Sequence, residues 1–183
     1  MINIDDEKLS TKYHDIKSYL TYYDKFGKPL VDEYSKTLDE KVDQITTYIR
    51  AIRERNLDFD VVSLQRICME LSSTIYYTTS RLEQVNLLAD MAKVKMKDVY
   101  NEAFTSRQGA AKVSDRKYTN DQLKALAEQD SIEEELLNFI YSHAAAAIKA
   151  KIDSANEVLK SCSKSLSAQI QNMQSFGVTQ KHM

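Results

Sequence analysis

The chain has 183 residues, 43% of them hydrophobic and 28% charged, with a formal net charge of −2. That balance excludes wholesale disorder and removes any whole-protein electrostatic case for nucleic acid or a membrane, so a polyanion site has to come from local charge patterning. Three Gly and one Pro are too few for the turns of a β-rich or α/β fold and point to an all-α chain of a few long helices.

In chain order, a first helix is expected over about Asp5 to Lys25, with Asp5, Asp6 and Glu7 in the opening turn, where the helix dipole favours acids. Gly27 and Pro29 then punctuate the chain, and a second helix follows from Pro29 to Arg55 with Val31, Leu38, Val42, Ile45 and Ile49 on one face. Asn56 to Asp60 breaks the period, and Asp60 is placed to cap the third helix. That helix is expected to reach about Phe104. Thr105 to Tyr118, with Gly109, reads as a basic loop because no period continues through it. Thr119, Asn120 or Asp121 can cap the last helix, which should stop at Gly177; Ser131 with Glu134 fits a capping box, so a break near Asp130 is the alternative to one unbroken helix. Residues 1–57 are therefore expected to form an N-terminal helical pair, a candidate docking arm, 58–177 a long-helix hairpin carrying the loop 105–118, and 178–183 a flexible tail.

The strongest pattern is a heptad seam on each long helix. Leu64, Cys68, Leu71, Ile75, Thr78, Leu82, Val85, Ala89, Ala92, Met96 and Val99 follow at alternating steps of four and three, as do Ile148, Ile152, Ala155, Leu159, Cys162, Leu166, Gln169, Met173 and Phe176. Such a repeat keeps a narrow apolar stripe on one face, which needs a partner helix to bury it. Coiled-coil-like packing between subunits is the expectation, with Ile148, Ile152, Ala155, Leu159, Cys162, Leu166, Met173 and Phe176 as the assembly residues of a homo-oligomer.

Chemistry is sparse. No nucleophile–base motif, phosphate loop, dinucleotide turn or metal-protease pair is present, and His14, His143 and His182 lack ligand spacing. Cys68 and Cys162 lack zinc-type spacing and read as small apolar residues in helix interfaces. Glu133, Glu134 and Glu135 point about 100° apart and read as a solvated face. No catalytic residue, metal or cofactor is assigned, and an enzyme is not expected. No apolar run approaches the roughly 18 residues of a membrane span, so the protein is expected in the cytoplasm, that of a host if it is viral.

Charge is patterned in blocks. Lys93, Lys95, Lys97, Arg107, Lys112, Arg116 and Lys117 dominate from Ala89 to Tyr118, and acids dominate from Asp121 to Ile140. The basic block can neutralise phosphates, and Tyr100 and Tyr118 can stack on exposed bases. The bland alternative is an exposed helix face with the two tyrosines in interfaces, the charge blocks setting register between subunits.

With these residues in view, the stretch from about Leu82 to Gly177 resembles the UvsY family of phage recombination mediators. The likeness lies in the basic element Lys93-Val94-Lys95, the following polar segment and long helix, and the closing Gln169-Ile170-Gln171-Asn172-Met173 before Phe176 and Gly177. The resemblance implies a ring-forming helical oligomer that binds single-stranded DNA through Lys93 and Lys95. It also implies partners: a RecA-like recombinase, loaded in place of the single-strand-binding protein. Against this stand an N-terminal extension of two helices and the slightly acidic total charge. The competing reading is a structural assembly protein (scaffold, adaptor or chaperone) that touches no nucleic acid.

Overall fold

The computed structural model describes residues 17–55, 60–113 and 118–179. Among them the chain is helical apart from Asp60, Tyr118, Thr119 and Ser131, and no strand is present. Helix runs from residue 17 through a π-helical turn, Tyr23–Gly27, into α1 (Lys28–Arg55); α2 (Val61–Val113), α3 (Asn120–Asp130) and α4 (Ile132–Thr179) follow. Asp5 to Ile16, Asn56 to Phe59, Arg116, Lys117 and the tail from Gln180 lie outside the described residues.

Three boundaries differ from expectation, each for a local reason. Gly27 and Pro29 do not end a helix. The Lys28 N–H donates to the Tyr23 carbonyl five residues back, and this widened turn relieves the crowding that the Pro29 ring imposes on the carbonyl preceding it by a turn. Gly27 is buried there because the Tyr23 ring lies where its Cβ would be. Thr105 to Val113 is helix, not loop; a single Gly109 weakens a helix by about 1 kcal/mol but does not stop one rich in Ala, Gln, Arg and Lys. Gly177 likewise fails to stop α4, which continues to Thr179.

Other local expectations hold. Asp60 caps α2: its carboxylate accepts from the Val62 N–H (3.1 Å) and from the Ser63 hydroxyl, and its carbonyl accepts the first helical bond from Leu64. Thr119 caps α3 in a full capping box with Gln122. The break falls at Ser131, whose N–H and hydroxyl both donate to the Glu128 carbonyl. The expected Ser131–Glu134 box does not form. The Ser131 hydroxyl turns back to α3, and Glu134 faces Lys95.

The chain groups into two compact units, Met1–Val31 with Glu83–Ala146 and Asp32–Leu82 with Ala147–Met183. In the second unit Leu38, Ile45, Leu64, Leu71, Ile148, Ala155 and Cys162 are fully buried. Each large aliphatic among them contributes about 1.5–3 kcal/mol of apolar transfer. Polar contacts fix which helices meet. Lys41 pairs with Glu70 at 2.7 Å between α1 and α2. Arg81 donates to the Glu33 carbonyl and lies over the Tyr34 ring. Lys151 joins α4 to α1 through Asp39 (2.6 Å) and Ser35 (2.8 Å).

In the first unit Val31, Val85, Ala92, Leu123, Ala127, Ile140, Ala144 and Ala145 form the core. Four of these are alanines, which lets helix backbones approach closely. Tyr19 meets the Phe139 ring edge-on at 5.1 Å between centroids, and Tyr23 leans on Phe139 and His143. His143 is thus a surface member of an aromatic cluster.

Both heptad seams find partner helices within one chain. Ile148, Ile152, Ala155 and Cys162 are buried without a second copy, and Leu159 and Leu166 are half-buried. The side chains of Gln169, Met173 and Phe176 lie outside the described set.

Candidate nucleic-acid interface

The basic block sits on the second half of α2, where residues four apart share a face. Lys93 and Lys97 are such a pair, and Tyr100 and Phe104 continue the same strip. Both lysines are exposed, and neither has an ion pair among the described residues. The two half-buried rings stack, with centroids 6.3 Å apart and planes 10° from parallel. Two free cations are therefore followed directly by an ordered aromatic step.

The other cations are placed differently. Lys95 lies on the opposite flank and faces Glu134 at 3.4 Å, with the lysine 67% and the glutamate 13% exposed. Arg107 is held by Asp130 through Nη2–Oδ2, Nη2–Oδ1 and Nε–Oδ2 contacts of 2.6, 2.8 and 3.0 Å. Lys112 is exposed near the end of α2, and Tyr118 is exposed just before the cap residue of α3. So the acidic stretch from Asp121 to Glu135 neutralises part of the basic block within the same unit.

Lys97 and Tyr100 also line a groove of about 580 Å³ with Met96, Asn101, Glu128, Ser131 and Glu135. Its far wall carries two carboxylates, which repel phosphate. A strand following the α2 strip would therefore lie outside this groove, along the Lys93–Lys97 edge. Phe104 was not singled out by sequence; its spacing of four from Tyr100 was the available signal.

A second groove of about 530 Å³ is apolar. Tyr22, Phe26 and Leu30 form one wall, and Leu136, Leu137, Ile140 and Tyr141 the other, with Glu133 as the one charged lining group. Phe26 and Leu137 are 49% and 41% exposed.

The Ser35–Lys151 contact pairs a hydroxyl with an amine, but Ser35 is fully buried and Lys151 also donates to Asp39. The cluster tethers helices and offers no nucleophile to a substrate. No group of three or more His, Cys, Asp or Glu side chains among the described residues is placed to hold a metal. No described helix is long and apolar enough to cross a membrane.

Comparison with family models, curated proteins and solved structures returned no match.

Proposed function

We propose that this protein is a non-enzymatic recombination mediator that binds single-stranded DNA along the Lys93–Lys97–Tyr100–Phe104 strip. The observation that carries this reading is the strip itself: two lysines with no ion pair among the described residues and a stacked aromatic pair on one face of one helix. Lysines give phosphate contacts without sequence preference, and ring faces accept any base. Lys112 and Tyr118 extend the site; Lys95 contributes after exchanging Glu134 for phosphate. Arg107 is a structural residue in this reading. The likeness of Lys93-Val94-Lys95 and the C-terminal segment to the UvsY family supports the further steps: action in the cytoplasm, homo-oligomerisation, and loading of a RecA-like recombinase in place of single-strand-binding protein. Several copies on one strand raise the effective concentration of individually weak sites.

A structural assembly protein is the second reading, favoured by the carboxylates bound to Lys95 and Arg107 and by the apolar groove around Phe26 and Leu137. Fluorescence anisotropy with a labelled single-stranded oligonucleotide separates the two. Salt-sensitive binding that Lys93→Ala with Lys97→Ala weakens, with a shallower salt slope, supports the mediator; no binding at low salt leaves the assembly protein.

A further inference from the structure

We propose that Cys68 and Cys162 are a latent disulfide pair, which oxidation closes to lock α2 to α4. Far apart in sequence, the two residues occupy seam positions on two helices of the same unit. Both thiols are free, and each cysteine side chain acts on the other across the two helices. Cys162 is fully buried and Cys68 half-buried. As small apolar side chains they fill the seam; as a facing pair they can also bond without the helices having to find one another first.

Burial pushes both thiols up, Cys162 to about 11, where Cys68 beside it adds to the effect. At neutral pH neither is a ready thiolate, so the pair stays reduced against mild oxidants and closes slowly. Cys68, the more accessible, is the entry point. Its thiolate attacks a small-molecule disulfide, releasing one small thiol and leaving a mixed disulfide on Cys68. The Cys162 thiolate then attacks the Cys68 sulfur and releases the second small thiol. The two protein thiols give up two protons and two electrons, and the reagent leaves as two thiols. The bond closes a long loop, which restricts the unfolded chain more than a short loop does. It belongs to the second unit and the Lys93–Lys97 strip to the first, and it is independent of the DNA-binding proposal.

The test treats the full chain with oxidised glutathione under native conditions, at neutral and alkaline pH, and follows intact mass and thermal unfolding. The expected product has lost two hydrogens and carries no adduct. Its unfolding midpoint is raised by on the order of 10 °C; a dithiol reverses the change, and alkaline pH speeds it. Cys68→Ser and, separately, Cys162→Ala should show no such rise. A stable glutathione adduct on Cys68 with Cys162 still reduced would overturn the proposal. So would dimers linked between chains as the main product, or a folded chain that stays reduced at alkaline pH.

Discussion

Arg107 and Asp130 face each other side-on, with three guanidinium–carboxylate contacts of 2.6–3.0 Å joining the last turns of α2 to the end of α3. The pair explains why α2 extends past Phe104, where the apolar period ends. It anchors a turn of helix that has no seam of its own. Both side chains are more than a third exposed, so the fork–fork geometry places the pair near the upper end of the surface range.

Arg107→Ala should therefore lower stability by about 0.5–1 kcal/mol and speed amide exchange from Thr105 to Val113 more than elsewhere. If exchange there is unchanged, the C-terminal part of α2 does not depend on the pair.

The two described helical glycines with opposite surroundings give a matched test. A Cβ at Gly109 meets nothing within 4 Å, whereas one at Gly27 runs into the Tyr23 ring. Gly109→Ala should raise stability by about 0.5–1 kcal/mol, the usual gain at an open helical site. Gly27→Ala should destabilise by displacing Tyr23 from Phe139 and His143. Chemical denaturation of both variants checks the pair of signs.

Leu71 on α2 is fully buried in the single chain. Leu71→Ala should cost about 2–5 kcal/mol through lost transfer and the cavity left behind, and dilution should not change that loss. A concentration-dependent loss would place the seam between subunits.

Asp60 predicts an acid limb. The Ser63 side chain, and then the backbone N–H groups of Ser63 and Val62, hold its carboxyl below the ordinary range. A depressed folded pKa gives stability that is intact above the unfolded value of about 4 and is lost as pH falls through the folded one. Asp60→Ala should lower the neutral-pH midpoint by a few degrees and flatten the acid limb. Asp60→Asn should flatten the limb while keeping most of the cap. Thermal melts at a series of pH values measure both.

Much of this fold was legible because helices are coded locally. The step-four, step-three pattern picked out Leu64, Leu71, Val85, Ile148 and Ala155, all fully buried, and the cap residues Asp60 and Thr119 did what their side chains permit. The failures came where one residue type outweighed its context. Gly27 and Pro29 looked like a stop, but a π-turn absorbed them, and Gly109 looked like a loop inside a sequence of good helix formers. The site was less legible because its electrostatics are tertiary. Nothing near Lys95 in sequence announces Glu134, and nothing near Ser35 and Asp39 announces Lys151.

The central claim is that α2 offers a strand-binding strip, and the most direct measurement is anisotropy of a labelled single-stranded oligonucleotide over a range of salt. Binding should weaken as salt rises, with a log–log slope of about −0.7 per phosphate neutralised on a single strand. Lys93→Ala with Lys97→Ala should remove roughly two contacts from that slope, Phe104→Ala should weaken binding with the slope unchanged, and Arg107→Ala should leave both nearly as they were. Wild-type chain that does not bind at low salt, or that binds equally well without Lys93 and Lys97, would contradict the account.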